Sequence, residues 1–148
     1  MKHAKVVLAC DHAGFPLKEQ VKTYLQSKNI ECMDVGTHSE ERVDYPAIMR
    51  AGCEVVLSEG IPGLIFGGSG NGEAMAANKM KGIRAALCYS EEIARLARSH
   101  NDANVMSMGA RFTDPETAYR MVDIFLDTEF EGGRHIPRVN DLDTPLNS

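Results

Sequence analysis

The 148-residue chain has no run approaching 18 consecutive apolar residues, so no segment reads as a membrane-spanning helix. Its opening, MKHAKVVLACDH, lacks the apolar stretch of a secretory signal, and the expected location is the cytoplasm. An excess of positive charge is missing as well. Sixteen basic against 21 acidic residues give a net charge of −5, which argues against broad binding to nucleic acid or membrane surfaces. It leaves room for a small local basic pocket. The four cysteines (Cys10, Cys32, Cys53, Cys88) form no CxxC pair and no Cys/His cluster at zinc spacing. They read as buried, reduced thiols, and no metal or cofactor is expected. Repeats, low-complexity tracts and linkers are absent too. The expectation is one domain over residues 1–148, with a polar C-terminal tail from 139. A chain of this length buries roughly 70% of the surface it exposes when unfolded, so it needs no disulfide staple.

What is present is an alternation of short apolar strands with amphipathic helices. Lys5–Cys10, Glu31–Val35, Gly63–Phe66, Ala85–Cys88 and Val105–Met108 read as strands. Between them, Leu17, Val21, Tyr24 and Leu25 share one helical face. Tyr45, Ile48, Met49, Cys53, Val56 and Leu57 mark a second helix, ending near Gly60. Ser90 suits the N-cap of a helix running to about His100, with Glu91 and Glu92 in its first turn. Thr113-Asp114-Pro115-Glu116 reads as a capping box for a helix carrying Ala118, Met121, Val122, Phe125 and Leu126. A short helix is expected after Gly132. Five strands with helices between them predict an α/β fold, a three-layer α/β/α sandwich on a parallel sheet. Ligands in such folds bind beyond the carboxyl ends of the strands.

The third strand leads into Gly67-Gly68-Ser69-Gly70-Asn71-Gly72-Glu73 and a helix-like segment. Glycines at 67, 68, 70 and 72 remove the side chains that would keep a ligand from the backbone, and the helix start favours an anion. The dinucleotide fingerprint fails, because GxGxxG counted from Gly68 meets Glu73 where glycine is required. No GK[ST] follows, so the phosphate-binding P-loop fails too. A carboxylate behind such a cradle suits removal of a proton from carbon while the cradle holds the resulting oxyanion. The plainer reading is a tight turn with a favourable acid in the first helical turn.

Other strand exits carry polar groups. Asp11-His12 either contacts a ligand or caps the next helix. Asp44 suits an N-cap before Pro46, leaving the Tyr45 hydroxyl to line a pocket. His100-Asn101 closes the fourth helix, and Arg111 follows the fifth strand. Arg134, His135 and Arg138 cluster near the end, and the two arginines would share a helical face. Arginines and a histidine in an acidic chain suit a phosphomonoester.

CDHAGF, VDYP, GGSGNGEAMAANKMKGIRAALC, ARSHNDANVMSMGAR and EGGRHIPRV, in that order, closely resemble the ribose-5-phosphate isomerase B family over about residues 5–139. The resemblance implies a Rossmann-like fold and a homodimer with two active sites at its interface, in some members paired into a tetramer. It implies metal-free interconversion of an aldose phosphate and a ketose phosphate, usually ribose 5-phosphate and ribulose 5-phosphate. Many members carry a cysteine base at the position of Gly67; this chain resembles the branch in which the glutamate, here Glu73, is the base. By the same resemblance Ser69 assists at the reacting oxygens, and the N–H groups of Gly68, Gly70, Asn71 and Gly72 form the anion hole. His100 opens the sugar ring, with Asp11 and Asn101 beside the sugar. His12, Arg111, Arg134 and Arg138 match phosphate-binding positions, His135 less closely, and His100, Asn101 and Arg111 face the other subunit's glycine loop. Glu73 is expected to have a raised pKa. A 6-phosphate aldose (allose or galactose type) is the alternative substrate, and a nucleotide-binding regulatory module the remote alternative.

Overall fold

Residues 3–147 are described by the computed structural model. Alternation along the strands divides the molecule into layers. In β1 (Lys5–Cys10), Val6, Leu8 and Cys10 enter one core, and Val7 and Ala9 enter the other. β3 (Gly63–Gly67) and β5 (Val105–Gly109) follow the same rule: Leu64, Phe66, Met106 and Met108 face the first core, Ile65 and Val105 the second. With β2 (Glu31–Asp34) and β4 (Ala85–Leu87) they make a five-stranded sheet in the order β2-β1-β3-β5-β4, every pairing parallel. The three inner strands are apolar on both faces, as a parallel sheet covered on both sides requires.

α1 (Phe15–Ser27), α4 (Glu91–Ser99) and α5 (Pro115–Asp127) cover the first face, while α2 (Tyr45–Glu59) and α3 (Asn71–Asn78) cover the second. The predicted three-layer α/β/α fold is the one observed. Its boundaries shift where caps decide them. Ser90 caps α4 as expected, accepting a hydrogen bond from the Ile93 N–H. The expected Thr113 capping box does not form. Asp114 is the N-cap of α5 and accepts from the Thr117 N–H at 2.8 Å, because Pro115 then falls at the first helical position. Asp44 precedes α2 with extended backbone angles but makes no side-chain cap. Leu57, expected on the apolar face of α2, is 42% exposed. After a 3-10 turn (Gly133–His135), α6 (Ile136–Asp141) runs three residues into the segment expected to be tail. Beyond it Asp143 accepts a hydrogen bond from the Gly82 N–H. No helix among the described residues is long and apolar enough to cross a membrane.

One residue of α1 escaped the sequence pattern. Lys18 is wholly buried, and its ammonium donates to both Asp34 carboxylate oxygens (2.7 and 2.8 Å) and to the Thr37 carbonyl (2.7 Å). It ties α1 to the end of β2 and to the loop that follows. Burial alone would raise the Asp34 pKa, but hydrogen bonds from Lys18, the Gly36 N–H and Lys22 outweigh it and hold the carboxyl below its usual range. A depressed carboxyl stabilises the fold at neutral pH and loses that contribution as pH falls through its folded pKa. Asp34→Ala strands the ammonium in the core and should cost about 3–5 kcal/mol at pH 7. Urea unfolding should show the gap between mutant and wild type narrowing on acidification.

Candidate active site

Because each crossover helix returns antiparallel to the strands, helix starts and helix ends lie at opposite ends of the sheet. The glycine loop leaves the carboxyl end of β3. Gly70 holds it in the left-handed region (φ 85°), where glycine carries no steric penalty, and α3 begins at Asn71 with no side chain capping it. Ser69 Oγ accepts hydrogen bonds from the Asn71 N–H and amide nitrogen, both at 3.2 Å, so its own hydroxyl proton remains to be donated. The loop is fixed from beneath by buried Ser107, whose hydroxyl donates to the Gly70 carbonyl at 2.7 Å. Tyr89, a residue with no motif to flag it, donates its hydroxyl to the Ser69 carbonyl.

Glu73 turns back under this loop and is 4% exposed. A β-carbon added at Gly67 would overlap its carboxyl carbon and both carboxylate oxygens. The glycine at 67 is therefore the volume that Glu73 fills. Burial raises the Glu73 pKa from 4.5 to about 7; the neighbouring Asp11 carboxyl adds to the rise, and a hydrogen bond from its own backbone N–H opposes it. No ion pair neutralises Glu73 among the described residues. The raised value agrees with expectation and equips the group to exchange protons near neutral pH.

Asp11 leaves β1 beside Glu73. Its N–H donates to the Phe66 carbonyl at 3.2 Å, and its Oδ1 accepts from the Gly14 N–H at 2.9 Å. Of the two alternatives raised for it, the hydrogen bond to Gly14 is the structural one, closing the turn into α1. His12 Nδ1 accepts from the Val43 N–H at 3.2 Å, which keeps the ring proton on Nε2 as a donor. The Tyr45 ring lies over Gly72, with its hydroxyl 2.6 Å from where a β-carbon there would sit. Arg111 lies over Gly68 in the same way, with Cζ at 3.2 Å, and its N–H donates to the Gly68 carbonyl. Arg111 is thus seated on its own chain's glycine loop, because β3 and β5 are paired as far as Gly67 and Gly109.

The remaining candidates lie elsewhere. His100 and Asn101 follow the end of α4, at the amino end of the sheet. There they border a cavity of about 270 Å³ with His135, Arg138, Val139 and Leu142. Arg134 lies in the adjoining 3-10 turn. Neither Arg134 nor Arg138 forms an ion pair among the described residues. His135 stacks on His100 (ring centroids 4.4 Å apart), and Glu131 Oε2 lies 3.5 Å from His100 Nε2. Burial lowers the His135 pKa, with Arg134 and His100 adding to the effect. Glu131 carried no sequence signal beyond its acidic side chain. A single chain therefore holds a cluster of glutamate and glycine loop and a cluster of histidines and arginines, at opposite ends of the sheet.

Residues 6–142 match the model of the Ribose/Galactose Isomerase family. The chain belongs to that family. It is similar to ribose-5-phosphate isomerase B of Escherichia coli, 43% identical over 141 residues and covering 91% of each chain. The crystal structure of a ribose 5-phosphate isomerase from Thermotoga maritima is 48% identical, with a TM-score of 0.93 over 95% of this chain and 98% of that one. A ribose-5-phosphate isomerase B from Mycoplasma genitalium, solved with ribulose-5-phosphate bound, is 36% identical, with a TM-score of 0.88 over 93% of each chain.

Within this isomerase fold, the Gly67–Glu73 packing can be tested without an assay. Gly67→Ala should turn the Glu73 carboxyl out of its niche. Its titration, followed by NMR on carbon-labelled glutamate, should then fall from about 7 toward 4.5. A titration left near 7 would show that the niche does not depend on glycine.

Proposed function

We propose that the chain interconverts D-ribose 5-phosphate and D-ribulose 5-phosphate, with each active site assembled from two copies of the chain. One observation carries the chemistry: a buried carboxylate with a pKa near 7, lodged beneath an uncapped helix start lined with glycine. Membership of the isomerase family supports the reaction type, and the relative that holds ribulose-5-phosphate supports the substrate.

Ribose 5-phosphate is largely a closed furanose, so ring opening comes first. His100 moves a proton between the ring oxygen and the anomeric hydroxyl, with Asn101 and Asp11 beside the sugar. Glu73 then removes the proton from C2. The enediolate oxygens lie against the N–H groups of Gly68 to Gly72 and the Ser69 hydroxyl, where the positive helix end offsets their charge. The hydroxyl proton on O2 passes to O1 beside the Ser69 hydroxyl, and protonated Glu73 returns its proton to C1, which yields the ketose. Arg134 and Arg138, with no carboxylate partner among the described residues, bind the phosphate together with His12 and Arg111. A single chain keeps Glu73 and His100 apart, so the second copy supplies the histidine half. Four free cysteines suit a reducing compartment, which we take to be the cytoplasm.

Glu73→Gln should lower turnover by roughly 10²–10⁴ with the fold intact, while EDTA leaves the wild type untouched. Below saturation, wild-type kcat/KM should rise with pH through about 7 as Glu73 loses its proton. Allose 6-phosphate and galactose 6-phosphate belong in the same assay. Turnover of either in place of ribose 5-phosphate would overturn the substrate assignment.

The shared site makes a separate prediction. Glu73→Gln and His100→Asn, each inactive alone, should regain about one quarter of wild-type activity when unfolded and refolded together in equal amounts. Half of the dimers are then mixed, and each mixed dimer contains one intact site of two. No recovery would mean that both residues serve the same chain's site.

A further inference from the structure

Three side chains at the amino end of the sheet converge without serving one another fully. His100 stands at the end of α4, while Glu131 and His135 come from the segment joining α5 to α6. One donor atom from each lies within 4.8 Å of the others. Glu131 is anchored by the chain itself, its N–H donating to the Ser99 carbonyl at 3.0 Å. Independently of that clustering, His135 is 8% exposed, and its Nε2 is buried with no hydrogen-bond partner. A buried imidazole nitrogen normally finds a partner, because leaving one unsatisfied costs about 1–3 kcal/mol. The ring is held there by packing against His100 and Phe130.

We propose that His100, Glu131 and His135 form a binding site for a divalent ion of the zinc class, and that the bound ion inhibits the enzyme by taking the lone pair of His100. Two imidazoles and a carboxylate are the donor set that suits zinc, copper, nickel or cobalt and is poor for magnesium or calcium. Three protein ligands leave a fourth position open to water or to an anion in the adjoining cavity. Zinc–nitrogen and zinc–oxygen bonds of about 2.0–2.2 Å require the donors to close by roughly an ångström and the stacked rings to turn. His100 and Glu131 have that freedom, their side chains being 35% and 55% exposed. The exposed Arg138 on the same cavity weakens the site for a cation and sets a limit on its affinity. The inhibitory effect rests on the assignment of His100 to ring opening; binding does not.

Zinc chloride is the probe, with binding read by equilibrium dialysis and inhibition by ribose 5-phosphate turnover. Wild type should bind one ion per chain and lose activity over the same concentration range. Glu131→Gln removes an exposed ligand, and its inhibition is read against its own metal-free turnover. It should weaken both zinc binding and inhibition by at least about tenfold, since even outer-shell losses cost 10–100-fold. His135→Asn should abolish the stoichiometric binding. Zinc bound equally by wild type and both variants, or not bound by wild type, overturns the site. Zinc bound through these residues with turnover unaffected overturns the inhibitory role. Basal activity is read without metal, so failure of the isomerase reading shows itself separately.

Discussion

A parallel sheet allows its connections only one layout, and the rest of this molecule depends on it. Each helix must return the chain from the carboxyl end of one strand to the amino end of the next. Groups at helix starts therefore gather at one end: Asp11 and His12 before α1, Tyr45 at the start of α2, and the glycine loop with Glu73 at the start of α3. Groups at helix ends gather at the other, as His100 and Asn101 do. Nine residues of α4 separate the two ends by about 13 Å of helix. Side-chain reach does not close that gap, which is why the chemistry we propose calls for a second copy.

Asp34 and Glu73 are both acids with little side-chain exposure, and their contrasting treatment separates architecture from chemistry. Asp34 faces the fully buried Lys18 ammonium, with Lys22 and a backbone N–H in support, and its charge is held on. Among the described residues Glu73 has no cation and has Asp11 for a neighbour, so its charge is opposed and its proton is exchangeable near pH 7. The first arrangement fastens α1 to the sheet. The second spends folding stability on a group that the fold itself does not need. Gly67 makes it possible, because a side chain on β3 would claim the same space.

Much of this was legible in the residues. Strand positions followed from apolar runs, and α4 from Ser90, because hydrophobic periodicity and caps are local signals. The Thr113 box misled because two overlapping caps, Thr113 and Asp114, competed for one helix start. The position of Pro115 decided between them. Lys18 was illegible: a lysine on an amphipathic helix normally faces water, and only the meeting of α1 with the end of β2 buries it. The candidate site divides along the same line. Glu73 and its glycines announced themselves as a motif, whereas Tyr89 and Glu131 carry no local signal and acquire partners only through packing.

By itself the sequence determined the alternation of strands and helices, the five-stranded parallel sheet, the anion-favouring loop and the glutamate behind it. Each of these is written in residues adjacent along the chain, where backbone preference and periodicity act. Only the tertiary structure decided the strand order, the seat of Arg111 on its own loop, the niche at Gly67 and the stacking of His135 on His100. Those depend on segments distant in sequence being pressed together. There, close packing and loss of water, rather than local preference, determine which groups share space and which protons are held.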